Sequence, residues 1–246
     1  MKHLEIADLL STPDAERLLG RIYRRLFSFF GPQHWWPGET PFEVAVGAIL
    51  TQNTSWSNAS AAILELKRRK LLNPMKLERL PRRRLAGIIR SSGYFNQKAK
   101  RLKVFVRHLN REHGGNMERM RAVPAGRLRA QLLSLWGIGP ETADSILLYA
   151  LGKPLFVVDA YTKRILARHG LISWDASYEQ MQNLFYSAMG QGRGRIASYN
   201  EYHALIVETG KRFCRARPDC FSCPLRTVGN LKLEPGVFPR SQLHKK

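Results

Sequence analysis

Apolar residues fall three and four positions apart through 15–29, 81–89, 99–109 and 179–189, the spacing that gathers side chains on one face of a helix. A further helix is expected over 199–212, and no long apolar–polar alternation signals a strand. The pattern predicts an all-α protein, and 246 residues suffice for two helical lobes and a sizeable core.

The periodicity breaks most informatively between 135 and 168. Leu128, Leu132, Leu133 and Leu135 continue a helical stripe up to Gly137-Ile138-Gly139-Pro140, after which a second helix is expected over 141–151. Glycines at 137 and 139 permit positive φ and close backbone approach, and proline suits the first turn of a helix. Unpaired amides and the dipole at such a helix start attract an anion, so the turn can hold a phosphate. The same Gly-x-Gly also serves as an ordinary C-cap and turn. Helices on both sides argue against a dinucleotide fold. Beyond Gly152 and Pro154, the apolar run 155–158 leads to Asp159 at the head of a helix expected over 160–169. Asp159 is a good N-cap by itself, worth roughly 1 kcal/mol.

Leu135 to Ala143 with Asp159 resembles the helix-hairpin-helix and following aspartate of the endonuclease III family of DNA glycosylases, and matching pieces run from about Phe42 to Cys223. Within it, the chain is most similar to the 3-methyladenine glycosylase branch. The family hairpin reads L-P-G-[IV]-G-x-x-T-A; here Trp136 replaces the proline, and Gly137, Ile138, Gly139 and Thr142 match. Strand-cutting members carry lysine just before the Thr-Ala pair, where this chain has Glu141. A carboxylate forms no imine with the sugar, so the resemblance implies a monofunctional glycosylase with Asp159 as the catalytic residue. A fixed carboxylate stabilises the oxocarbenium charge on the sugar. Glu141 and Asp144 are read as structural or solvent-facing.

The stretch HisTrpTrpPro at 34–37 and the T-Q-N-T-x-aromatic segment ending at Trp56 are similar to the same branch, which places Trp35, Trp36 and Trp56 around the base. Large aromatics also dominate ordinary cores. An electron-rich indole attracts a cationic N-alkylated purine by roughly 0.5–2 kcal/mol more than a neutral base, and such a base leaves with little acid assistance. The resemblance assigns Gln52 to the gap left by a flipped base and Tyr94, in Gly93-Tyr94-Phe95-Asn96-Gln97-Lys98-Ala99, to a second wedge. A capping Gln52 and a core Tyr94 are the alternatives.

Forty Lys and Arg against 19 Asp and Glu give a net charge of +21, which points to a polyanionic partner. Basic clusters stand at 67–70, 82–84, 98–103 and 212–217. The segment 190–195, GlyGlnGlyArgGlyArg, lacks the Lys-Ser/Thr and preceding strand of a phosphate loop and reads as a basic loop. No apolar run approaches the roughly 20 residues of a membrane span, and the N-terminus lacks signal-peptide order. The expectation is a cytoplasmic, nucleoid-associated monomer acting on double-stranded damaged DNA.

Cys214, Cys220 and Cys223 are the three cysteines, spaced C-x5-C-x2-C. Relatives hold a [4Fe-4S] cluster with four cysteines at this place, whereas Gly229 stands where the fourth would fall. A cluster with another fourth ligand, a different metal, or a loop that folds by packing remain open. The resemblance divides the chain into a helical barrel with the hairpin (33–153), a second lobe with the cysteine loop (1–32 and 154–230) and a poorly ordered tail (231–246), with the DNA cleft between the lobes. The alternatives are a glycosylase for oxidised or mismatched bases, with or without lyase activity, and a non-catalytic DNA-binding protein.

Overall fold

The computed structural model describes residues 13–228, and every regular element among them is helical, as the apolar spacing requires. The expectation for the tail beyond 231 lies outside the described residues. In chain order the α-helices are α1 (Pro13–Phe30), α2 (Pro41–Leu50), α3 (Trp56–Arg68), α4 (Pro74–Arg79), α5 (Arg82–Ile88) and α6 (Phe95–His113). They continue as α7 (Met117–Ala122), α8 (Ala125–Leu133), α9 (Pro140–Ser145), α10 (Ala160–Arg168), α11 (Tyr178–Met189) and α12 (Ile196–Arg212). A π-helical turn, Ile146–Ala150, extends α9.

Two compact units divide the described chain. The larger holds 32–159 and 189–204, the smaller 13–31, 160–188 and 205–228. Segments 154–159 and 189–204 therefore group with the hairpin unit, where the sequence reading had 154–230 in one piece. The last crossing, between 204 and 205, falls inside α12, a break that helical periodicity alone does not announce.

α2 is the centre of the larger unit because it is apolar on all sides: every residue from Phe42 to Leu50 is buried, including Glu43. It starts sharply, with Pro41 in the first turn and the Thr40 hydroxyl accepting from the Glu43 N–H at 3.1 Å. The π-helical turn, α3 and α6 pack around it. α6 turns Ala99, Leu102, Phe105, Val106 and Leu109 inward, and α4 and α5 lie against it.

Two lysines of α6 are interior fasteners. Lys98 is fully buried and donates to the carbonyls of Leu50 (2.8 Å) and Ser92 (2.5 Å), tying the end of α2 to the loop before α6. Burial, then the Arg101 charge, pushes its pKa down to about 8. The Lys103 ammonium donates to the carbonyls of Leu77 (3.0 Å), Glu78 and Leu80 (2.6 Å) where α4 ends. In the smaller unit, the face of α1 carrying Leu19, Ile22 and Leu26 is buried, as are Phe185, Leu205 and Leu225.

Candidate active site

The turn between α8 and α9 is built on Ile138, which is buried while its neighbours Gly137 and Gly139 reach the surface. The Ile138 N–H donates to Leu135 O at 3.1 Å, and the Ala143 N–H closes the next helix onto Gly139 O at 2.9 Å. Gly137 has φ +81°, and a Cβ there would lie 2.6 Å from the Arg101 side chain, so this position needs glycine twice over. A buried pair holds the two helices together: the Arg129 guanidinium donates twice to Asp144, at 2.7 and 3.2 Å.

Two of the residues read as DNA contacts have buried side chains. Ile138 anchors the turn, and Thr142 is buried with its hydroxyl accepting from the Gln52 amide at 2.8 Å. The reason is chemical, since an aliphatic side chain and a satisfied hydroxyl both belong in the interior of a tight turn. Gln52 is committed as well. Its amide also donates to Gly137 O at 3.1 Å, and Arg101 donates to its side-chain oxygen at 2.6 Å. Tyr94 is the opposite case, standing 65% exposed in the left-handed region (φ 42°) just before α6. An exposed aromatic held in that conformation is no core residue. Trp136, in place of the family proline, is also exposed at the turn, with the Lys100 ammonium 3.7 Å from its ring centroid.

The three tryptophans do come together, with Trp36 in the middle. Its ring meets Trp35 edge-on at 5.5 Å, Trp56 edge-on at 5.3 Å and Tyr149 at 5.1 Å. Gly47 of α2 makes the room, because a Cβ there would stand 3.3 Å from both the Trp36 Nε1 and the Trp56 ring. The Trp36 Nε1 is buried with no hydrogen-bond partner.

Asp159 closes the run of buried Phe156, Val157 and Val158 and immediately precedes α10. Its side chain is 12% exposed, and Oδ2 lies 3.7 Å from His203 Nε2. Two further groups of the same unit feel its charge. Surrounding protein and then Asp159 push Glu141 up to about 7, although Glu141 stays open to solvent. Burial and then Asp159 push Tyr149 well above the usual phenol range. Glu141, read from sequence as structural or solvent-facing, is thus electrostatically part of the aspartate's surroundings, whereas Asp144 is the buried partner of Arg129.

Residues 46–189 match the family model described as HhH-GPD superfamily base excision DNA repair protein. The chain belongs to this superfamily. It is 46% identical over 211 residues to a Methanocaldococcus jannaschii protein named "Putative DNA repair glycosylase MJ1434", covering 85% of this chain and 94% of that one. The structure is similar to H. pylori 3-methyladenine DNA glycosylase bound to 1,N6-ethenoadenine, with a TM-score of 0.69 at 28% identity over 80% of this chain and 97% of that one. It also shares its fold with endonuclease III trapped covalently on DNA, with a TM-score of 0.73 at 22% identity over 87% of this chain and 94% of that one.

Outside the HhH-GPD match, the cysteine loop is organised by arginines. Arg168 donates to Cys214 Sγ at 3.1 Å and to Arg215 O at 2.7 Å, and Arg164 donates to Cys214 O at 2.5 Å. Burial pushes Cys223 up to about 11 and raises Cys220, with the neighbouring thiols adding to both. Among the described residues no group of three His, Cys, Asp or Glu is arranged to hold a metal ion, and Gly229 lies outside them. A [4Fe-4S] cluster takes four thiolates and this chain has three cysteines, so the residues present do not fit a four-thiolate cluster.

Charge clusters read from sequence also sort by role. Lys67 is paired to Glu39 and Glu43, Arg68 and Arg69 to Glu65, and Lys98, Lys100, Arg101 and Lys103 are all engaged inside the hairpin unit. Arg82, Arg83 and Arg84 are exposed. A count of charges does not distinguish the two kinds. His203 and Tyr149 carried no sequence signal, since they lie 54 residues apart and each reads alone as an ordinary helical residue.

Proposed function

We propose that this HhH-GPD chain is a monofunctional DNA glycosylase that removes N-alkylated purines from double-stranded DNA. The observation that carries the reading is that the hairpin position holding lysine in strand-cutting relatives is Glu141, while Asp159, only 12% exposed, stands before α10. Asp159 stabilises the sugar cation as the C1′–N bond breaks. The departing cationic base takes the bond electrons and leaves neutral, water supplies the hydroxyl that C1′ gains, and the water's remaining proton passes to solvent. No amine is placed to form an imine at the hairpin position, so the strand stays whole. The Trp36-centred aromatics offer electron-rich faces to a cationic base, worth roughly 0.5–2 kcal/mol over a neutral one. Tyr94, exposed before α6, supplies the wedge for the flipped nucleotide's place.

A second reading has its own support. Glu141, with a pKa of about 7, can donate a proton near neutrality, and the buried Trp36 Nε1–H has no acceptor. Two donors suit a neutral base bearing carbonyl acceptors, which leaves only with acid help.

The test is release of free base from methylated duplex DNA, with strand breaks scored before and after alkali, beside duplexes holding one mismatched or oxidised base. Methylated purine released by the native protein and not by Asp159→Asn, with breaks only after alkali, is the expected result. Release confined to the mismatched or oxidised duplexes selects the second reading, and breaks without alkali overturn the monofunctional one.

A further inference from the structure

The surroundings of Asp159 contain a hydrogen-bonded pair that the reaction as described does not use. His203, on α12, has a side chain only 6% exposed. Its Nδ1 is hydrogen-bonded to the Tyr149 hydroxyl, and its Nε2 stands 3.7 Å from Asp159 Oδ2 with no hydrogen bond of its own. The ring is fixed from two sides: Tyr149 lies 5.9 Å away at 42°, and Phe156 meets it nearly perpendicularly at 6.5 Å. Tyr149 is itself braced by Trp36 at 5.1 Å.

Hydrogen-bond chemistry fixes the proton. An ionised carboxylate only accepts, so an imidazole facing Asp159 is favoured with its proton on Nε2. Nδ1 must then accept, and the phenol opposite it is a donor that burial keeps neutral. The charged and titratable groups facing the imidazole among the described residues are Asp159 before α10 and Tyr149 from the π-helical turn; Glu141 of α9 feels the Asp159 charge in turn. Glu201, on the same helix as His203, is turned to another task, accepting from the Gln33 N–H at 2.9 Å.

We propose that Tyr149 and His203 are positioning residues for Asp159, a Tyr–His–Asp chain in which Tyr149 sets the imidazole tautomer and His203 presents Nε2–H to the carboxylate. The 3.7 Å separation closes to a hydrogen bond when DNA is bound, as catalytic hydrogen bonds tighten on loading. The chain holds the carboxylate still. This inference rests on Asp159 being the catalytic residue.

The experiment measures single-turnover base release across pH, and affinity for the same DNA, on the methylated duplex or on the mismatched or oxidised duplex if the native protein acts there instead. Tyr149→Phe, His203→Ala, His203→Gln and Asp159→Asn are compared with the native chain. Tyr149→Phe and His203→Ala are expected to lower the rate roughly ten- to a hundredfold with DNA affinity unchanged. His203→Gln, whose amide can offer an N–H near the Nε2 position, recovers most of it. Native rate in both Tyr149→Phe and His203→Ala, with Asp159→Asn inactive, overturns the chain alone. Loss of rate together with affinity and melting temperature, without rescue by glutamine, makes the pair merely structural and also overturns it. No release by the native protein from any of these duplexes removes the reading beneath it as well.

Discussion

Glu141 shows how a side chain can be read from sequence as solvent-facing, as it is, and still carry an electrostatic tie that sequence does not reveal. Its position was read from the hairpin, but its electrostatic tie to Asp159 depends on where the chain goes eighteen residues later. Because its folded pKa lies near 7, above the unfolded 4.5, the folded state binds the extra proton between those values. Its contribution to stability is full at low pH and is lost as pH rises through about 7. Melting temperatures of Glu141→Gln are therefore expected to gain on the native protein from about pH 5 to about pH 8; parallel curves would show that Glu141 titrates as an ordinary carboxylate. Gly137 makes a steric prediction. Gly137→Ala sets a methyl against Arg101 at φ +81° and should cost more than about 1 kcal/mol by urea unfolding. It should also weaken DNA binding, because Arg101 orients Gln52.

The helices were the most legible level. α6 and α12 announced themselves because a buried stripe at 3.6-residue spacing leaves the same mark in any sequence, and only their ends moved, to Phe95–His113 and Ile196–Arg212. The helix expected over 141–151 fared differently, since the α-helix stops at Ser145 and a π-helical turn continues to Ala150. One extra residue in a turn does not disturb a run that is apolar throughout, so periodicity carries no trace of it. Tyr149 lies in that turn, and its tie to His203 was hidden for that reason as well as by distance along the chain. What holds α8 to α9 was equally hidden. Asp144, read as structural or solvent-facing, is structural: its side chain is 0% exposed, and its partner Arg129 carried no sequence signal. Arg129→Met removes the bidentate partner of a buried carboxylate and should cost about 3–5 kcal/mol in denaturant unfolding. A cost under about 1 kcal/mol would mean that the pair behaves as a surface ion pair.

For the molecule as a whole, the +21 charge was plain from composition and pointed correctly to a chemistry of phosphates, but not to which charges meet them. Lys98 and Lys103 are consumed by backbone carbonyls, whereas Arg82, Arg83 and Arg84 stand on the surface. If six to ten phosphates are neutralised, DNA affinity falls about 10³- to 10⁵-fold between about 50 and 200 mM salt. Replacing the three arginines with alanine should flatten the log–log salt slope by about 0.9 for each phosphate that is no longer neutralised, with no change in melting temperature. Lys103→Ala should do the reverse, lowering the melting temperature and sparing the slope. An unchanged slope in the arginine variant would place the DNA-binding surface elsewhere.

Trp136 gives this protein an optical property of its own. Its indole stands 46% exposed at the hairpin turn under the Lys100 ammonium, while Trp35, Trp36 and Trp56 lie half-buried among one another. Trp174, 38% exposed, is the other water-facing indole. With Trp174 changed to phenylalanine, the red edge of the ultraviolet emission belongs to the hairpin turn. A strand settling on that turn strips water from the ring and draws the ammonium toward phosphate, so the emission shifts blue as the duplex seats. The moment of docking can then be timed by fluorescence, without a dye, separately from the slower release of the base.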